Sequence, residues 1–195
     1  MARPTDGGSR DSDHALYVDD WRVDLVRRAG TPRVLPDAKL ARAVARALEA
    51  AGAPAPASVA VVLTDDDELR DLNRAHLDRD EPTDVLSFPM LPPEAYPDHP
   101  GRTLEPTDPA AVVPPGPPGE RIHLGDVAIS VERAVDQAAA GRGGQTGDVH
   151  WSAADELRLL VTHGVLHVCG WDHAEPAEEA AMRALEQRLL GEERR

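Results

Sequence analysis

Residues 152–173 read Ser-Ala-Ala-Asp-Glu-Leu-Arg-Leu-Leu-Val-Thr-His-Gly-Val-Leu-His-Val-Cys-Gly-Trp-Asp-His. Leu157, Leu160, Val161 and Val165 recur at helical spacing, so the segment predicts a helix with one apolar face. Ser152, with Asp155 and Glu156 after it, has the form of a capping box and opens that helix. Gly170 supplies the left-handed exit just after Cys169. His163 and His167 stand four residues apart, which places their Cβ atoms ~5–6 Å apart on one face. Two imidazoles at that spacing can meet one Zn²⁺ at N–metal distances of ~2.0–2.1 Å. A third ligand does not fit comfortably on the same face. A chain reversal at Gly170 brings His173 in from outside the helix. Three neutral imidazoles leave the fourth tetrahedral position for water, which is a catalytic arrangement rather than a closed structural one. A closed site with Asp172 as fourth ligand is disfavoured, because chain neighbours rarely aim at one metal. The expectation is one Zn²⁺ per chain, held by His163, His167 and His173.

Working outward, residues 36–51 carry Leu40, Val44, Leu48 and Ala51 at helical spacing, with Pro36 in the first turn and Gly52 as the stop. Residues 58–63 are continuous and β-branched and predict a buried strand. Thr64, ahead of three Asp, is the expected cap of a helix bearing Leu69, Leu72 and Ala75. Residues 84–88 and Ile122–Ser130 predict two more strands, residues 131–140 a helix, and residues 141–148 a polar loop. Residues 15–18 form a short apolar stretch suited to a first strand. Pro176 opens a last helix with Met182, Leu185 and Leu189 inward and Gly191 as its stop. Strands mixed with helices predict an α+β fold, a single domain with a small mixed sheet packed by helices and a zincin-like His motif on a helix in the C-terminal part of the chain.

The length of 195 residues suits one domain with a real core. Residues 1–13 are polar and expected to be disordered, leaving residues 14–195 as the domain. Residues 89–118 hold 11 of the 18 prolines, a density no helix or inner strand tolerates. They are read as an exposed loop insertion. The net charge of −14 excludes general nucleic-acid coating, DNA included; it leaves room for a local basic groove. One cysteine, Cys169, excludes an intrachain disulfide or a thiolate zinc knuckle, and it reads as a small buried apolar residue. No apolar run approaches the ~18–20 residues of a membrane span, and no secretory leader is evident, so a cytoplasmic protein is expected.

The His/His/Gly/His spacing also occurs in metzincin proteases, as H-E-x-x-H-x-x-G-x-x-H. Here Gly164 stands where the water-activating Glu would be, so the metal geometry is shared and peptidase chemistry is not supported. Three stretches in this order resemble the YbeY family of bacterial endoribonucleases: residues 82–89 (PTDVLSFP), residues 124–130 (LGDVAIS) and residues 163–173. The resemblance implies a single-domain metalloprotein with three His ligands that acts on single-stranded RNA. It implies a role in rRNA maturation, notably at the 16S rRNA 3′ end, in ribosome quality control, and an association with the small ribosomal subunit.

The chain departs from the family at two positions. Trp171 stands where Tyr is usual, a tolerable aromatic exchange, and Leu77 stands where an Arg is common. The family commonly carries an Arg four residues after the Asn of the Leu72-Asn73 pair, where this chain has Leu77. Arg79, two residues on, is the candidate replacement as an RNA contact. Arg70, Arg74 and Arg79 together form a candidate basic cluster, although Arg residues on a helix are more often a solvated face. Asp84 and Asp126 are candidates to orient a ligand His through its other nitrogen, and Asp172 is expected to anchor backbone or support a ligand rather than act as a base. No general base is identified. The readings carried forward are a metal-dependent endoribonuclease, a metal-stabilised ribosome-assembly protein without nuclease activity, and a hydrolase of another substrate.

Overall fold

In the computed structural model, residues 11–102, 121–141 and 151–193 are described. The chain opens with a hairpin. β1 (Ser12–Val18) pairs antiparallel with β2 (Trp21–Arg27) across a turn in which Asp19 adopts φ 50°. β1 therefore starts three residues earlier than the apolar stretch at 15–18 suggests, and residues 11–13 are not a disordered tail; residues 1–10 lie outside the described residues. No element is expected at Trp21–Arg27, yet it forms an inner strand. Its alternation places Trp21, Val23, Leu25 and Arg27 on the buried side and Arg22 and Asp24 on the other. Strands need only this period of two.

α1 (Asp37–Ala50) buries Leu40, Val44 and Leu48, and Gly52 follows it at φ 66°. β3 (Ala57–Thr64) leads into α2 (Asp66–Leu77). The cap of α2 is Asp65, not Thr64: its carboxylate accepts from Glu68 N at 2.9 Å. Thr64 is engaged as the last residue of β3, opposite Ser130 in the sheet, so capping falls to the next residue. β4 (Val85–Pro89), β5 (Ile122–Ser130) and α3 (Val131–Ala139) follow, then α4 (Ala153–Val168) and α5 (Pro176–Glu193). α5 runs past Gly191, whose φ is not positive. Glycine weakens a helix but stops it only where the backbone turns left-handed.

The sheet order is β1-β2-β3-β5-β4. β2, β3 and β5 are parallel, and the edge strands β1 and β4 run antiparallel to their neighbours. One face carries Val23, Leu25, Val59, Val61, Leu63, Val127 and Ile129, all fully buried in one core with Leu40, Val44 and Leu48 of α1 and Leu157, Val161 and Val165 of α4. On the other face a small cluster joins Leu69 of α2 to Leu86 and Ala128. α4 is thus the central helix, packed on β4, β5, α1, α3 and α5.

The proline-rich segment is not simply exposed. Within its described part, Pro93–Ala95 form a 3₁₀ turn, and Tyr96 is buried in the main core. Residues 103–118 of the expected insertion, and 142–148 of the expected polar loop, lie outside the described residues.

Candidate metal centre

The site is built on the C-terminal half of α4. At its start, Ser152 N donates to the Asp155 carboxylate at 3.1 Å and Asp155 N donates to Ser152 Oγ at 3.2 Å, a complete capping box. At its end, Gly170 N donates to His167 O and Trp171 N to Leu166 O, each at 3.0 Å. With Gly170 at φ 80°, this is a Schellman reversal. The left-handed exit expected at Gly170 therefore forms, and it returns the chain toward the helix face that bears His163 and His167.

The three histidines come together. Their nearest ring nitrogens all lie within 4.8 Å of one another, and His167 Nε2 is 3.0 Å from His163 Nε2. The other nitrogens are already engaged: His163 Nδ1 lies 2.7 Å from the Glu186 carboxylate, and His167 Nδ1 lies 2.8 Å from Trp171 O. Both partners are acceptors only, so each Nδ1 carries the donated proton, and each Nε2 turns a lone pair inward. Two lone pairs facing at 3.0 Å repel, and either a shared proton or a metal ion between them relieves the repulsion. Tetrahedral ligands at ~2.05 Å from a metal sit roughly 3.3 Å apart, close to the spacing observed. Burial, with the neighbouring His163 and His173 adding to it, pushes His167 down to about 4, so its imidazole is neutral and ready to bind a metal at neutral pH. The donor set fits a transition metal.

The triad opens into a cleft of about 510 Å³ lined also by Leu77, Thr83, Asp84, Ser87, Leu91 and Pro93. Gly164, between the two helical histidines, faces the sheet. A Cβ there would stand 2.5 Å from Val127 Cγ1 and 3.0 Å from Val85 Cγ2, and its carbonyl accepts from Ser87 Oγ at 3.0 Å. A glutamate at this position has no room, in line with the argument against peptidase chemistry.

The acidic residues expected to orient the histidines do other work. Asp84 accepts from Gln137 Nε2 at 2.9 Å, and Asp126 pairs with His123 at 2.8 Å. The carboxylate that does hold a ligand candidate is Glu186 on α5, and sequence reasoning missed it. A signal was present: Glu186 interrupts the apolar stripe of Met182, Leu185 and Leu189, where an acid is costly to bury without a partner. Asp172 anchors backbone, its carboxylate accepting from His173 N and its own N donating to Gly101 O. Arg70 is paired with Asp80 and Arg74 with Asp71, so both belong to a solvated face. Arg79 is exposed beyond the end of α2 and is not among the residues lining the cleft, whereas Leu77 is. Cys169 is buried, and burial pushes its thiol up to about 12, so it is inert.

The profile of the family described as "Endoribonuclease YbeY" matches residues 33–193. The chain belongs to the YbeY family. Among its relatives, the YbeY of Symbiobacterium thermophilum is 40% identical over 151 residues, 76% of this chain and 81% of that protein. The YbeY of Thermobifida fusca is 37% identical over 173 residues, 89% of this chain and 94% of that one. The solution structure of a Thermotoga maritima protein overlaps with 82% of this chain and 87% of its own, at a TM-score of 0.45 and 20% identity. The match to the YbeY profile spans α1 to α5, and so takes in all three histidines and Glu186.

Proposed function

We propose that this chain is a metal-dependent endoribonuclease that cuts single-stranded RNA in rRNA maturation, at the 16S rRNA 3′ end, and serves ribosome quality control at the small subunit in the cytoplasm. The observation that carries this reading is the convergence of three imidazoles, each helical one with its Nδ1 already engaged, on an open cleft. The ligands are His163, His167 and His173, and the metal is one Zn²⁺ per chain. Bound there, Zn²⁺ supplies Lewis acidity toward a phosphoryl oxygen. The chain's own residues bind and orient. Glu186 and Trp171 O hold two imidazoles in the tautomer that presents Nε2. The cleft wall of Leu77, Leu91 and Pro93 offers apolar surface to unstacked bases, and Arg79, outside the cleft, meets the RNA backbone. The attacking oxygen comes from water or the RNA 2′-OH, so no side chain is needed as nucleophile. No described helix is long and apolar enough to cross a membrane.

His167→Ala tests this reading. Elemental analysis of the wild type is expected to give about one metal per chain; the variant is expected to stay folded by circular dichroism, to lose that metal, and to lose cleavage of a single-stranded rRNA fragment by at least ~10²-fold. Cleavage that persists unchanged in metal-free His167→Ala protein overturns the mechanism. Loss of fold together with loss of metal assigns the metal a structural role instead.

A further inference from the structure

Two of the three imidazoles are positioned by helical backbone; the third is not. His163 and His167 lie within α4, but His173 follows the Schellman turn in a segment with no regular structure. Among the described residues, the one backbone hydrogen bond from residues 172–173 to another segment runs from Asp172 N to Gly101 O, at 2.7 Å. The same short segment grips the preceding residue. The His99 ring stacks on the Trp171 indole, with centroids 4.1 Å apart and planes 6° from parallel. Gly101 passes so close to that indole that a Cβ would stand 2.1 Å from its Cε3. Trp171 in turn accepts through its carbonyl from His167 Nδ1.

The segment is itself anchored. Tyr96 sits in the main core, Pro97 lies against the Gly52 turn after α1, and Arg102 closes the segment on itself by donating to Pro93 O. Its start, at Leu91 and Pro93, lines the cleft.

We propose that residues 91–102 form a strap that positions His173, with His99 and Gly101 as positioning residues for the third metal ligand. The proposal rests on the reading of the three histidines as ligands. The strap clamps Trp171 from the side of the indole and ties Asp172 by its backbone, leaving His173 little freedom to swing away from the other two rings. Both ring nitrogens of His99 are buried without a partner. Its contribution is therefore the flat ring, which makes the proposal testable by a side chain that keeps the ring and drops the nitrogens.

The experiment titrates Co²⁺ into metal-stripped full-length protein and records the visible absorption band, which reports coordination geometry, beside the thermal midpoint of the metal-free protein. His99→Ala and Gly101→Ala are expected to weaken Co²⁺ affinity about 10- to 100-fold, the range for residues that orient metal ligands, and to alter the band. His99→Phe is expected to retain wild-type affinity and band. If Gly101→Ala fails to fold, the His99 pair carries the comparison. Wild-type affinity and band in His99→Ala overturn the proposal, as does a His99→Phe defect equal to that of His99→Ala. A wild type that binds no Co²⁺ refutes the ligand reading itself, a distinct result.

Discussion

Gly164 illustrates how a single residue is set by its neighbours rather than by its own element. In an isolated helix, alanine would be better there by about 1 kcal/mol. Here the missing Cβ is what lets α4 lie against β4 and β5, because the space is held by Val127 and Val85. Val127 is fully buried and short, with no flexible end to give way. Overpacking of this kind costs ~1–3 kcal/mol, which exceeds the propensity gain. Gly164→Ala is therefore expected to lower stability by up to about 2 kcal/mol, read as a shift in urea midpoint with an unchanged slope. An equal or higher midpoint would show that the strands move aside freely.

Among the elements, α4 supplies two imidazoles but does not hold them alone. α5 reaches across with Glu186 to fix His163, which makes the packing of the last two helices part of the candidate metal centre. The predicted consequence is that Glu186→Ala weakens Zn²⁺ binding about 10- to 100-fold, measured by competition with a chromophoric chelator. Glu186→Gln keeps a carbonyl acceptor for Nδ1–H and is expected to lose less. Equal affinity in all three proteins would mean that α4 orients His163 without help. α2 contributes differently: it covers the second sheet face with Leu69 and places Leu77 at the cleft, while its arginines pair with local acids.

For the whole molecule, the charge of −14 raises the question of whether acidification stabilises by relieving repulsion or destabilises by breaking ion pairs. Three half-buried carboxylates, together with His167, decide it. The Arg133 guanidinium, joined by Ser130, holds Asp66 below the usual carboxylate range, and Arg28 does the same for Glu68. Burial pulls Asp37 upward, but Arg27 and Arg33 outweigh it and the net shift is downward. In each case the unfolded chain binds the proton more readily than the folded one, so stability rises with pH across the interval between the two values. The contribution is complete above the unfolded values of ~4 and is lost as pH falls through the folded ones. Repulsion between distant surface charges is screened beyond ~8 Å at physiological salt. Burial holds His167 down to about 4 against ~6.5 in the unfolded chain, so it too costs stability as pH falls between those values. The thermal midpoint of metal-free protein in that salt is expected to fall from about pH 6.5 downward, and further below about pH 4 as the carboxylates take up protons. A midpoint that climbs on acidification would show that repulsion dominates.

The sequence by itself determined the elements whose signal is local. The α4 capping box, the Gly170 reversal and the four-residue spacing of His163 and His167 are backbone and neighbour effects, and each forms as the residues dictate. The α+β class followed from the same local periodicities. What the sequence left unread depends on contacts far along the chain. β2 is a period-two strand whose charged residues mask it until β1 and β3 pair with it. Thr64 loses its capping role to Asp65 because β5 claims it for the sheet. Only the tertiary structure chose Glu186 over Asp84 and Asp126 as the partner of His163, since a carboxylate 23 positions away reaches the ring through helix packing alone. It also turned the first part of the proline-rich segment from loop into a strap over Trp171. Proline density forbids regular structure but says nothing of what the chain packs against, and that is settled by the indole and core surfaces the fold presents.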